Sequence, residues 1–275
     1  MRNKSKINRK YGFKKGLSNY KFKLYKDVLP NEVTPLDMLP DSVDLRLTCK
    51  PGALTVYDQL SLGSCTSNSL AGAIQFLQPT FTPSRLGIYW GERVIEGDTD
   101  QDAGAEIADG VTVVDTTGVA SETLWPYDVS QFAVKPPQSY FDAAKNDIVT
   151  QYLRVNGIQE MKSCLAQGFP FSFGFSVYES FEGQDVASNG MVPMPNPNEQ
   201  CLGGHAVLGV GYKNINGVDY IIVKNSWGPG WGDSGFFYFP EEYISNPDLA
   251  SDFWTLRSDS ALVPTVSTDS TALVS

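Results

Sequence analysis

DQLSLGSCTSNSLAGAIQF, residues 58 to 76, sets a glutamine and a Gly-Ser-Cys ahead of an apolar stripe. Leu70, Ala73, Ile74 and Leu77 recur at i, i+3, i+4 and i+7, the spacing of a helix with one buried face. Pro79 stops it, because the residue before a proline disfavours helical backbone. Cys65 then stands at the helix entry, where unpaired backbone N–H groups and the helix dipole favour negative charge and lower a thiol pKa.

Working outward, residues 84–95 and 105–114 carry two further helical patterns, so the first half reads as mainly helical. From Pro170 the period drops to two. Phe171, Phe173, Phe175 and Val177 alternate with small or polar residues, as a half-buried strand does. AVLGVGY (206–212) and DYIIVKN (219–225) flank a turn containing Asn216-Gly217, a hairpin signal, and FFYF (236–239) adds a short strand. A helical half followed by a β half predicts an α+β fold.

The 275 residues are 41% apolar, enough for a buried core. No apolar run is long enough to span a bilayer, and the first thirty residues lack the apolar core of an export signal. The net charge of −10 is uneven: residues 1–26 hold ten Lys and Arg and no acid, leaving eleven basic against thirty-one acidic residues in the rest. An acidic body argues against nucleic acid as the main partner, except weakly through the arm. The arm has three readings: a solvated tail, a nucleic-acid or membrane-surface arm, or a segment that docks on the acidic body, which its Tyr and Phe favour. Residues 258–275, rich in Ser and Thr, read as a loose tail.

Cys49, Cys65, Cys164 and Cys201 are expected to be free thiols, given no visible export signal. A thiol becomes a good nucleophile when a neighbouring base holds it as thiolate. The single histidine, His205, follows two glycines at the start of a strand, and Asn225 ends the hairpin's second strand, where the pairing can bring it beside His205. Cys201 and His205, four residues apart, are two ligand types without a third nearby, so no metal is expected.

LPDSVDLR (39–46), QLSLGSC (59–65), WPYD (125–128), GGHAVLGVGY (203–212) and NSWGPGWGDSGF (225–236) together, in this order, resemble the papain-like cysteine peptidases. The resemblance implies a helical subdomain (39–160) with Cys65 facing a β-barrel-like antiparallel subdomain (161–257) with His205 and Asn225 across a cleft. It implies a cofactor-free peptidase acting on protein or peptide substrates through a thioester on Cys65. His205 is then its acid and base, Asn225 the group that orients the ring, and Gln59 an oxyanion donor. Gly63, Ser64, Gly203, Gly204 and Trp227 are the implied substrate-binding residues, and a looser alignment puts Asp252 and Thr255 near the pocket floor. Residues 1–38 take the place of an inhibitory prosegment. Leu62 and Thr66 replace a cysteine and an aromatic of the family motif; the lost disulfide partner favours an intracellular or particle-packaged location. The rival readings are a catalytically silent binding or structural relative, and an exopeptidase or acyl transferase using the same site.

Overall fold

The computed structural model describes residues 9–16, 22–145 and 148–258; the rest of the basic arm and the tail beyond Ser258 lie outside the described residues. In chain order the helices are α1 (Tyr25–Val28), α2 (Leu45–Thr48), α3 (Cys65–Leu77), α4 (Arg85–Glu96), α5 (Ile107–Thr116), α6 (Gln138–Ala144), α7 (Gly157–Ala166), α8 (Gln184–Asn189) and α9 (Glu241–Ser245). The strands are β1 (Val43–Asp44), β2 (Gln151–Arg154), β3 (Phe171–Tyr178), β4 (Cys201–Ile215), β5 (Val218–Lys224), β6 (Phe236–Pro240) and β7 (Ala250–Arg257). Among the described residues no helix is long and apolar enough to cross a membrane.

Helix α3 is the central element: every residue from Cys65 to Phe76 is buried. It packs between α4 and α5 on one side and β4 on the other, and its small residues Ala71, Gly72 and Ala73 allow that approach. Helix α4 opens with Ser84, whose hydroxyl oxygen accepts the Gly87 N–H at 3.1 Å, and closes on Gly97 in the left-handed region (φ 79°). The third expected helix starts two residues late, at Ile107, because Ala105 is held extended, bridging to Phe13.

The strands form one antiparallel sheet in the order β2-β7-β3-β4-β5-β6, with β1 paired to β4. The fold is α+β as expected, but the sheet is open, with β2 and β6 at its ends, and does not close into the barrel-like subdomain the sequence suggested. The β4–β5 hairpin pairs Leu208 with Lys224, and its register shift between Gly209 and Gly211 lets the end of β5 reach the start of β4. His205 lies opposite Phe175 on β3.

Residues 22–38 belong to the folded body. Tyr25 is fully buried in the main core, its hydroxyl donates to Gln167 at 2.9 Å, and the Arg257 guanidinium sits 4.9 Å over its ring. Glu32 pairs with Arg257 at 2.5 Å, and the Thr34 N–H donates to Ser163 Oγ at 3.0 Å. Tyr25→Phe, which deletes that one buried hydroxyl, is expected to cost about 1 kcal/mol. The melting temperature of the full-length chain should fall by ~3 °C; a loosely attached extension would leave it unchanged.

Candidate active site

Two walls meet at Cys65. The thiol, fully buried at the first turn of α3, is approached by the backbone N–H groups of Ala206, Gly12 and Thr66. Ala206 directly follows His205, so β4 brings the ring to the edge of α3. His205 Nε2 lies 2.9 Å from Asn225 Oδ1, which also accepts the Ser226 N–H at 2.8 Å. That second bond fixes the amide so that its oxygen faces the ring, leaving Nε2 as the donor and Nδ1, which has no partner, free to accept a proton. Trp227 stacks on the imidazole at 5.0 Å, shielding the His205–Asn225 contact from water.

Gln59 is equally buried. Its Oε1 accepts from Ser226 Oγ at 2.7 Å; its Nε2 donates to Leu62 O at 2.9 Å and points at Lys10 O, 3.4 Å away. One amide hydrogen is thus spent on the fold and the other faces the cleft.

Burial pushes the Cys65 thiol up to about 12, against the pull of the three backbone N–H groups. Burial likewise pulls His205 down to about 4, against the Asn225 hydrogen bond and with the help of Arg9. Both shifts act against charge on the pair while the arm covers it.

The cover is the basic arm. Residues 9–16 cross the cleft extended, with Ala105 N–H donating to Gly12 O at 2.7 Å, Lys14 N–H to Ala105 O at 2.9 Å and Phe13 N–H to Gly204 O at 2.9 Å. Arg9 sits 5.1 Å over Trp227 and pairs with Asp58 at 3.0 Å; Lys10 pairs with Asp102 at 2.8 Å; Lys14 pairs with Glu96 and Asp98. For residues 9–16, docking on the acidic body is the reading the structure bears out; residues 1–8 and 17–21 lie outside the described residues. What faces the thiol is the N–H of Gly12, a donor, rather than a carbonyl carbon.

The implied substrate-binding residues divide. Gly204 touches the arm's backbone and Gly203 the Tyr11 side chain, and a side chain on either would collide with the arm; a Cβ on Gly63 would sit 3.3 Å from Gly12 Cα and from Asp102, in tight contact short of a clash. Trp227 carries Arg9. Ser64 is different: its hydroxyl is turned to Tyr127 at 2.5 Å, and its carbonyl accepts from Asn68 at 2.8 Å. Asp252 reaches the rim, accepting the Gly16 N–H at 3.1 Å, whereas Thr255 is buried in β7 with its hydroxyl donating to Pro170 O.

Several site residues escaped sequence reasoning. Asp58, Glu96, Asp98 and Asp102 fall in or beside loops without a motif, and only the charge contrast between arm and body hinted at them. Thr66, in place of the family's aromatic, donates to Glu92 at 2.9 Å, a fully buried carboxyl that burial pushes up to about 8.

A buried cysteine at a helix start and, on the strand whose Ala206 N–H approaches its thiol, a histidine held by an asparagine are the residue types a thiol hydrolase uses. The model of the papain family of cysteine proteases matches residues 39–253. An uncharacterized peptidase C1-like protein of Acanthamoeba polyphaga mimivirus is 41% identical over 251 residues, spanning 86% of this chain and 78% of that one. Cathepsin S of Bos taurus is 28% identical over 220 residues, spanning 75% of this chain and 63% of its own. The crystal structure of xylellain, a cysteine protease from Xylella fastidiosa, superposes with a TM-score of 0.79 at 39% identity, covering 91% of this chain and 97% of that one. The chain belongs to the papain family and is a papain-like cysteine peptidase, a hydrolase.

Proposed function

We propose that the chain hydrolyses peptide bonds through a thioester on Cys65, and that residues 9–16 hold it in a closed, zymogen-like state. The observation that carries this reading is the placing of Cys65 beside the strand that holds His205, the Ala206 N–H reaching the thiol, with His205 held by Asn225 and Gln59 Nε2 turned to the arm that covers the site. In the open site, solvent returns to the thiol and imidazole, and the proton passes from Cys65 to the free Nδ1 of His205. The thiolate attacks the substrate carbonyl carbon; Gln59 donates to the oxygen that becomes negative. Collapse of the intermediate expels the amine, which takes its proton from His205. Water, deprotonated by His205, then cleaves the thioester to a carboxylate and restores the thiol. Asn225 and Trp227 keep the ring in place through both steps.

The arm suits the closed role. It enters over Trp227, on the side of His205 where an amine departs, and leaves past Phe13. It therefore runs opposite to a substrate and offers the thiol no electrophile.

The test is labelling by a peptidyl vinyl-sulfone at neutral pH, mapped by peptide sequencing, on the full chain and on Cys65→Ala and His205→Ala forms. Labelling confined to Cys65 and lost in His205→Ala is expected. A folded protein that does not label in any form, even after long incubation, would instead make the chain a silent relative.

A further inference from the structure

Beside the pocket that holds Phe13 lies a strip of carboxylates that the hydrolytic steps do not use. Glu96 ends α4, Gly97 turns in the left-handed region, and the Asp98 N–H returns to Arg93 O at 3.0 Å. Both side chains thus hang from a rigid helix C-terminus, the end of the dipole that favours a cation. Glu96 Oε1 accepts the Glu106 N–H at 3.0 Å, while Asp98 Oδ1 is buried and unpartnered. Asp109 adjoins Glu96, and burial together with Glu106 and Glu96 pushes it up to about 7, as crowded carboxylates should be.

An acidic strip alone specifies nothing, but here the chain supplies its own ligand. The Lys14 ammonium pairs with Glu96 and with Asp98, the latter at 3.2 Å, and among the described residues it is the cation paired with either. Its neighbour Phe13 lies over Gly174 and Gly204, where no side chain intervenes, beside a cavity of about 180 Å³ that Phe175, Leu249 and Ala250 help to line. Outward from the thiol, the cleft therefore holds a glycine, an aromatic and a base, each fitted to its own seat. No group of three His, Cys, Asp or Glu among the described residues is arranged to hold a metal, so an ammonium or guanidinium fits the strip better than a metal ion.

Resting on the peptidase reading above, we propose that Glu96 and Asp98 determine specificity. The preferred substrates are peptides with a basic side chain directly before an aromatic residue, the aromatic filling the Phe13 pocket and the base lying on the strip. Arg9, over Trp227, marks the side from which the amine leaves, so Phe13 and Lys14, on the far side of Cys65, mark the acyl half of a substrate. A substrate running opposite to the arm pairs with Ala105 through its own N–H and C=O, with its third residue from the scissile bond at Glu96 and Asp98.

The measurement compares kcat/KM for acetyl-Lys-Phe-Gly-aminomethylcoumarin with the norleucine-Phe-Gly and Glu-Phe-Gly analogues. Full-length enzyme serves, because the arm lowers every kcat/KM by the same factor and drops out of the ratio. Lysine is expected to exceed norleucine about tenfold, equal to ~1.4 kcal/mol, as two partly exposed ion pairs supply after screening. Glutamate should fall below both. In Glu96→Gln/Asp98→Asn the lysine-to-norleucine ratio should shrink to about two. Lysine and norleucine cleaved equally by the parent enzyme would overturn the strip's role and leave the peptidase reading intact. No cleavage of any peptide, with Cys65 also refusing the vinyl-sulfone, would sink both.

Discussion

Leucine in place of Gly12 should raise kcat/KM of the full-length enzyme about fiftyfold. Gly12 is the point of closest approach between arm and body: a Cβ there would strike the carbonyl of Gly63. Neither partner gives way easily. Gly63 is tied by its N–H to Asp102 at 2.9 Å, one turn-length before α3, and Gly12 is tied by its carbonyl to Ala105 at 2.7 Å. An overpacked contact of this sort costs ~2–3 kcal/mol, and the cost falls on the docked state alone. If docking is what limits activity, the open fraction rises by the corresponding factor, since apparent activity scales with the population competent to bind substrate. The same variant should label with the vinyl-sulfone correspondingly faster, and its melting temperature should fall by roughly 7 °C, because the docking energy lost by the closed state is lost to the fold as well, while residues 22–38 keep the body folded. Unchanged kcat/KM in a folded Gly12→Leu chain would show that the arm does not restrain the enzyme. Deleting residues 1–38 is a poorer experiment, since it also removes the buried Tyr25 and the Glu32–Arg257 pair.

The limits of sequence reading follow from what each residue depends on. Cys65, His205, Asn225 and Gln59 sit in motifs whose order survives in the chain, and the change of period from 3.6 to 2 located the helical and β halves. Phe171, Phe173 and Phe175 were legible because a strand's alternation is local. The openness of the sheet was not, because it depends on which edges find partners, and no local pattern records that β2 and β6 fail to meet. Tyr25 looked like part of a basic tail; only its tertiary neighbours Gln167 and Arg257 make it core. Ser64, beside Cys65, reads as a cleft residue, but the first turn of a helix sends successive side chains in different directions, and Ser64 points to Tyr127. The carboxylates that receive the arm were visible as net charge and invisible as positions.

Gln59→Ala should lower kcat by about a hundred- to a thousandfold, with KM changed only a few-fold, the size seen when one pre-placed oxyanion donor is removed. The side chain is held as such a donor must be. Ser226 Oγ donates to Oε1 at 2.7 Å and Leu62 O accepts one hydrogen of Nε2 at 2.9 Å, so the remaining hydrogen has a single direction, into the cleft. There it meets the Lys10 carbonyl of the arm, at 3.4 Å. The length of that contact is informative: a neutral carbonyl draws a weak bond, whereas an oxygen carrying negative charge draws a shorter and stronger one. The donor therefore favours the transition state over either the docked arm or a bound substrate, which is why the loss belongs in kcat. Gln59→Glu separates this role from packing. It keeps the volume but replaces the donor with a carboxyl group, so it should be at least as inactive as the alanine form; losing the Nε2 bond to Leu62 O also lowers its melting temperature, so activity is compared at a temperature where circular dichroism shows both forms folded. If Gln59→Glu retained more than about a fifth of the parent kcat, donation by Gln59 to the oxyanion would be ruled out. Ser226→Ala, which frees the amide to turn, should fall between the parent and Gln59→Ala, losing about tenfold, because the donor survives but its aim does not.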